Sequence, residues 1–260
     1  MKIRLDAAVA ERGGITRSQA RSLIMEGRVT VEGAAATKAG QSIANDAKIE
    51  IARPRRFVSR GGEKLDHALD AFDLDVRGCE ALDIGASTGG FTDCLLQRGA
   101  SRVTAVDVGY GQLDWRLRND SRVRVMERVN FRKLPGDAFP EGFDLIAIDT
   151  SFISLRIILE RAVAYLRDGG AIVALVKPQF EAGRERVGSG GVVRDPATHR
   201  RVLRELRDAA RDSGLIAVAL TESRLLGPAG NREFLMLLRR RGAAFDDERL
   251  DAVLAEERSS

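Results

Sequence analysis

The 260-residue sequence predicts an α/β protein. A doubly wound, mostly parallel sheet of seven strands, with the last strand antiparallel, follows a small α/β module. Three observations carry this. From Glu80 onward short apolar runs alternate with stretches of helical period, most ending near glycine, the pattern of units that build a parallel sheet. Two late apolar runs, LIAVALTESR and EFLMLLRR, have little between them, too little for a crossover helix, so they pair antiparallel. The first 52 residues have shorter elements and a basic charge of their own.

In that module Leu5, Ala8 and Val9 recur at helical spacing and Gly13-Gly14 stops the helix. Thr16 is placed to cap a second helix with Ala20, Leu23 and Ile24 on its apolar face, ended by Gly27. RVTVEG alternates with period two and turns at Gly33, and KIEI supplies a later strand. The arginine-crowded stretch ARPRRFVSRGGEKL, punctuated by Pro54 and Gly61-Gly62, reads as a linker. The expected boundaries are a module at 1–52, a basic linker at 53–60, the large domain at 61–240 and a tail at 241–260 with one short helix. Within the large domain EALDIG, RVTAVDV, VRVM, DLIAID and AIVALVK read as buried strands. FTDCLLQRG, SLRIILERAVAYLRDGG and PATHRRVLRELRDAARDSG read as helices.

The net charge of +4 is unevenly placed. Residues 1–60 hold twelve lysines and arginines against six acids, which leaves the rest slightly acidic. That asymmetry suggests a polyanion-binding arm on a near-neutral body. No apolar run approaches the ~18 residues of a membrane span. Asp6 and Glu11 interrupt anything like a signal-peptide core, and Cys79 and Cys94 make neither a disulfide framework nor a metal cluster. The expectation is a reduced, cytoplasmic protein with no metal and no membrane partner.

The first strand runs into LDIGASTGGFTD, with Asp83 at its end and Gly85, Gly89 and Gly90 free to turn tightly. This differs from the G-x-G-x-x-G of dinucleotide enzymes. Asp107, followed by Val108, ends the second strand, where an acid can accept both hydroxyls of a ribose. Glu127 and Asn130 follow the third strand, where such folds meet an adenine edge. Together with Ala86, Ser87 and Thr88 of the loop, these residues describe a nucleoside-bearing cofactor without a required pyrophosphate, for which S-adenosylmethionine fits best. Asp149 ends the fourth strand and Lys177 the fifth, the latter followed at once by Pro178. Neighbouring strands place both side chains beside the cofactor's reactive end, with Lys64 and Glu233 as further candidates.

SRGGEKL, LDIGASTGGFTD, DVGYGQLDWRLRND, DTSFISL, KPQFEAG, GSGGVVRD and GNREFLM resemble the TlyA/haemolysin A family, relatives of the FtsJ-type (RrmJ-type) 2′-O-ribose methyltransferases. The resemblance covers residues 1–240. It implies a Rossmann-like class I methyltransferase fold and a Lys-Asp-Lys-Glu catalytic set falling on Lys64, Asp149, Lys177 and Glu233. It implies ribosomal RNA as substrate, with cytidines of either subunit as targets. The first fifth of the chain, with Arg4-Leu5-Asp6, Arg17, Ala20, Ile24, Gly27, Val29, Val31, Gly33 and Lys38, resembles the alpha-L RNA-binding module of ribosomal protein S-four. That resemblance implies that Arg17, Arg21 and Arg28 face RNA. Arg4 and the linker's Arg55, Arg56 and Arg60 complete the expected RNA-binding set. Thr150, where the family commonly has valine, Val129, where threonine is common, and Phe57, where tyrosine or tryptophan is common, depart from the pattern without removing a catalytic group.

The chemistry is consistent. A sulfonium methyl is already activated, so the protein's task is to orient a weak nucleophile and take its proton. Other methyl acceptors fit worse. Asp149-Thr150-Ser151-Phe152 is not the Asn/Asp-Pro-Pro-aromatic turn of amino-group methylation, and neither cysteine lies near Asp149 or Lys177 for attack on cytosine C5. The Gly-rich, basic EAGRERVGSGGVVRD reads as a mobile loop beside the site. A membrane-active protein and a non-catalytic ribosome-assembly factor stand as rival readings.

Overall fold

The computed structural model describes residues 2–25, 27–52 and 56–255. Arg55, together with positions 53–54 of the expected linker and the last five residues of the tail, lies outside the described residues. The chain divides into two compact units, Met1–Arg55 and Arg56–Ser260.

The first unit runs β1 (Lys2–Arg4), α1 (Leu5–Gly13), α2 (Arg17–Met25), β2 (Val29–Val31), β3 (Ala34–Ala35), β4 (Ser42–Ala44) and β5 (Ile49–Ile51). Leu5, Ala8, Val9, Ala20 and Ile24 are buried, so the helices pack on the expected faces. Gly14, at φ 60°, ends α1 in the left-handed region. The start of α2 is tied reciprocally: Gln19 N–H donates to Thr16 Oγ1 at 3.3 Å and Thr16 N–H to Gln19 Oε1 at 2.9 Å. β2 pairs antiparallel with both β3 and β5, as RVTVEG and KIEI suggest, while β1 pairs with β4. β1 and β4 carry three residues each, too few to show a period in the sequence.

The second unit contains α3 (Arg60–Ala71), β6 (Glu80–Ile84), α4 (Gly90–Gln97), β7 (Arg102–Val106), α5 (Trp115–Arg118), β8 (Val123–Met126), β9 (Phe143–Ile148), α6 (Leu155–Ala162), β10 (Leu166–Val176), α7 (Pro178–Glu181), α8 (Pro196–Asp212), β11 (Ile216–Glu222), β12 (Phe234–Arg239) and α9 (Asp247–Ala255). Its seven-stranded sheet has the order β11-β12-β10-β9-β6-β7-β8. β12 is antiparallel to both neighbours and the other pairs are parallel. Both faces are covered. Leu145, Ala147, Ala171, Val173 and Leu175 pack with Leu65, Leu69 and Leu95 of α3 and α4. Ile146, Ile148, Ile172, Ala174 and Val176 pack with Ile158, Leu206 and Leu250 of α6, α8 and α9. The period-two division survives although both sides are apolar.

Three local expectations change. Gly61 and Gly62 lie in the first turn of α3 rather than in a linker. A Cβ on Gly62 would collide with buried Phe57, and one on Gly90 would fall 2.8 Å from Gly62 N. These glycines let α3 and α4 approach, so their small size serves packing. The helix expected to run through AYLRDGG ends at Ala162, and β10 begins at Leu166 after a 3₁₀ turn. A Cβ on Gly170 would sit 2.9 Å from the Asp144 carbonyl oxygen, so the segment bulges against β9 and continues as strand. The Gly-rich loop is anchored at its far end. Val192 and Val193 are buried, and the Asn231 side chain accepts from Val193 N–H and donates to the Gly191 carbonyl, both at 2.9 Å.

Candidate active site

The carboxyl ends of β6, β7, β9 and β10 meet along one edge of the sheet, and reversed β12 begins there. Ile84 is level with both Ile148 and Val106, and Val176 pairs with Phe234. The residues just beyond, Gly85, Asp107, Asp149, Lys177 and Glu233, therefore emerge together. Residues 145 and 147, 171 to 175 at every second position, and 235 and 237 face the core shared with α3. The same period carries Asp149, Lys177 and Glu233 toward the helix that holds Lys64.

Four candidate side chains form two ion pairs. Lys64, 7% exposed, donates from Nζ to Oε2 of fully buried Glu233. Lys177 Nζ lies 2.5 Å from Asp149 Oδ1 and donates to Ser151 Oγ at 2.9 Å. Glycine makes the room at Gly227, where a Cβ would run into Glu233 Oε1; a Cβ on Gly61, one turn before Lys64, would lie at an ordinary contact distance of 3.8 Å from Asp149 Oδ2. Gly85, at φ +86°, could not carry a side chain, since its Cβ would fall 2.5 Å from the Asp149 carbonyl oxygen.

Beside these pairs is a cavity of about 470 Å³. Its lining includes Gly85, Ser87, Asp107, Val108 and Asn130, all expected, together with Asp149 through Ile153. The Asp107 carboxylate is oriented by two backbone donors, Ser87 N–H at 2.8 Å and Gly109 N–H at 2.6 Å. A carboxylate offers about four acceptor positions, so lone pairs remain for a diol. Asn130 Oδ1 accepts from Arg132 N–H at 3.2 Å.

Other expected cofactor residues are not in the lining. Asp83 is fully buried, and its Oδ2 accepts from Thr92 N–H at 2.9 Å and Thr92 Oγ1 at 2.6 Å, which fixes the start of α4. Its Oδ1 has no hydrogen-bond partner among the described residues. Burial raises this carboxyl to about 7, with Asp149 and Asp107 adding and Thr92 opposing. Ala86, Thr88, Gly89 and Gly90 shape the turn; Gly89, at φ +94°, would drive a Cβ to 2.7 Å from a Leu113 methyl. Glu127 accepts from Gly111 N–H at 2.9 Å and Arg118 at 2.5 Å, and the Arg118 hydrogen bond holds its pKa below the ordinary value.

In the first unit Arg4, Arg17 and Arg21 converge on the fully buried carboxylate of Asp6, each at 3.0 Å, while their own side chains stay half-exposed. Arg4 foremost, then Arg17 and Arg21, hold that carboxyl well below the usual range against the opposing effect of burial. Arg28 donates to the Ala52 carbonyl at 2.9 Å. In the second unit Arg56 pairs with Asp66 and lies 4.7 Å over the Phe57 ring, and Arg60 donates to the Leu226 carbonyl at 2.6 Å.

Sequence reasoning missed Ser151, Gln112 and Glu181. Gln112 lines the cavity. Glu181 accepts from Ser154 Oγ and Leu155 N–H, both at 2.7 Å, so it ties the Asp149–Ser154 loop to α7. Only their nearness to Asp149 and Lys177 in DTSFIS and KPQFE could have flagged Ser151 and Glu181. Among the described residues no group of three or more His, Cys, Asp or Glu could hold a metal ion.

A seven-stranded sheet with one reversed strand, a glycine turn after its first strand and an acid after its second define a Rossmann-like, S-adenosylmethionine-dependent methyltransferase fold. The FtsJ-like methyltransferase model matches residues 57–240 and the S4 domain model matches residues 3–44. The chain belongs to the FtsJ-like methyltransferase family and carries an N-terminal S4 domain. It is 48% identical to YqxC of Bacillus subtilis, named as a candidate rRNA methyltransferase, over 91% of this chain and 85% of that one. It is 44% identical to the 16S/23S rRNA (cytidine-2′-O)-methyltransferase TlyA of Mycobacterium tuberculosis, over 92% of this chain and 90% of that one. A solved structure described as a candidate hemolysin from Streptococcus thermophilus superposes with a TM-score of 0.75 at 44% identity, covering 98% of this chain and 94% of that one.

Proposed function

We propose that this chain methylates a ribose 2′-hydroxyl of ribosomal RNA, at a cytidine of the small-subunit RNA, the large-subunit RNA or both, using S-adenosylmethionine, in the cytoplasm. The observation that carries the reading is the Asp149–Lys177 pair, whose Asp149 lines the same cavity as the Asp107 carboxylate. The donor set fits the cofactor. Asp107 has lone pairs for ribose hydroxyls, Asn130 and Val129 flank an apolar space suited to adenine, and the Gly85–Ser87 backbone borders the rest. When bound, S-adenosylmethionine supplies an activated methyl group.

The remaining work belongs to the chain. A 2′-hydroxyl is a poor nucleophile near neutral pH, so its proton must leave as the oxygen reacts. Lys177 Nζ is the group for this task, and Asp149 holds it at the strand end. Glu233 holds Lys64 in a buried pair, leaving Lys64 to position the ribose. Arg4, Arg17 and Arg21, with Arg28, Arg55, Arg56 and Arg60, supply cationic contacts to phosphate.

A membrane-lytic reading, which the name hemolysin suggests, has less support. Arginine-rich α8 is amphipathic, but its Val202, Leu203 and Leu206 are buried in the core. No helix among the described residues is long and apolar enough to cross a membrane.

The test is transfer of labelled methyl from S-adenosylmethionine to purified unmodified ribosomal subunits, followed by alkaline digestion. A 2′-O-methyl group blocks cleavage at its nucleotide and a base methyl does not. Lys177→Ala should abolish transfer and leave cofactor affinity within about threefold, as expected when only transition-state help is lost. Turnover at a wild-type-like rate would remove Lys177 as the base.

A further inference from the structure

We propose that Ser151 is a positioning residue that aims the lone pair of Lys177 at the substrate hydroxyl. The proposal rests on the reading of Lys177 as general base and adds a residue to it.

In its base form a lysine amine has two N–H donors and one lone pair, arranged tetrahedrally. A freely rotating amine points that lone pair in any of three directions. Lys177 Nζ has two oxygen neighbours in the structure: it donates a hydrogen bond to Ser151 Oγ at 2.9 Å and forms an ion pair with Asp149 Oδ1 at 2.5 Å. With one N–H bonded to Ser151 and the other drawn by charge toward the Asp149 carboxylate, the lone pair is left with a single direction. The proton then passes from the ribose oxygen to Nζ: the O–H bond breaks, an N–H bond forms, and the electron pair stays on the oxygen. Asp149 alone would orient one N–H and leave the lone pair a choice of the two remaining tetrahedral directions. A hydroxyl also suits the second place better than another carboxylate, because it accepts from N–H without adding a negative charge that favours the protonated amine.

Three features make this contact more than a chance surface hydrogen bond. Ser151 and Asp149 are two residues apart on one short segment, and both line the 470 Å³ cavity. The segment is clamped at its far end, where Glu181, four residues after Lys177, accepts from Ser154 Oγ and Leu155 N–H, both at 2.7 Å. The stretch 177–181 thus grips the stretch 149–155 at two points. Phe152, next to Ser151, has φ 63°, in the left-handed region that strains a non-glycine residue. A strained turn held from both sides gives Ser151 one position relative to Nζ.

The experiment measures single-turnover methyl transfer to unmodified ribosomal subunits by Ser151→Ala, Ser151→Thr and Lys177→Ala, with cofactor affinity by calorimetry and thermal melts for each. Ser151→Ala should lower the transfer rate at saturating cofactor and RNA by roughly 10- to 100-fold, a part of the ~10²- to 10⁴-fold that general acid–base catalysis contributes. Its cofactor affinity, RNA half-saturation and melting temperature should stay near wild type. Ser151→Thr keeps the hydroxyl and should recover most of the rate. The proposal fails if Ser151→Ala transfers methyl at the wild-type rate, if the threonine variant is as slow as the alanine one, or if the loss lies in affinity instead of rate. An inactive Lys177→Ala beside a fully active Ser151→Ala removes only Ser151. An active Lys177→Ala removes the general-base reading and the role of Ser151 with it.

Discussion

Asp83 is the residue whose place in the structure most changes its meaning. From sequence it is a cofactor ligand; in the fold it is fully buried and brackets Thr92 at the start of α4. Its carboxyl is raised to about 7, chiefly by burial, from an unfolded value near 4. The folded state therefore binds a proton more tightly than the unfolded chain. Stability from this group is greatest at low pH and falls as pH rises from about 4 to about 7, opposite to a salt-bridged carboxylate. Asp83→Asn cannot ionise, yet its amide oxygen can still accept from Thr92. The melting temperature of the wild type should fall between pH 5 and pH 8 relative to that of Asp83→Asn. Parallel curves across that range would refute the assignment.

At the scale of elements, the contact between α3 and α4 decides where Lys64 stands. It depends on glycines that meet Phe57 and each other. Gly62→Ala should show this. Alanine improves helix propensity by about 1 kcal/mol, but its Cβ would collide with the buried Phe57 ring, and overpacking costs about 1–3 kcal/mol. Sterics should win, because the neighbour is the base of a ring in the core, with no flexible tip to swing away. The melting temperature should drop by several degrees and methyl transfer should fall with it, since Lys64 lies two residues on. A variant as stable and as active as wild type would mean the contact is looser than the geometry indicates. This packing left no mark in the sequence beyond a pair of glycines, which local rules read as punctuation.

At the scale of the whole molecule, the basic excess of residues 1–60 takes a definite form in the first unit. One buried carboxylate, Asp6, gathers Arg4, Arg17 and Arg21 while leaving their side chains half-exposed. A guanidinium has five donors, so each retains several for phosphate. If each neutralises one phosphate, removing all three should weaken binding to ribosomal RNA and flatten the plot of log affinity against log salt by about 2. Cofactor affinity should be unchanged. An unaltered salt slope in the triple alanine variant would place the RNA contacts elsewhere.

The alternation of strands and helices, the reversal of the last strand and the strand-end positions of Asp107, Asp149 and Lys177 were legible from the residues alone. These are local in cause: period-two burial, glycine turns and a proline after Lys177 are written in neighbouring residues. Long-range packing sets the rest: Glu233 holds Lys64, Ser151 joins Asp149 on Lys177, and Asp83 and Glu127 do not line the cavity. Lys64 and Glu233 are 169 positions apart, and their meeting follows from strand order and helix packing. Both are set by the mutual burial of surfaces that no local stretch of chain contains.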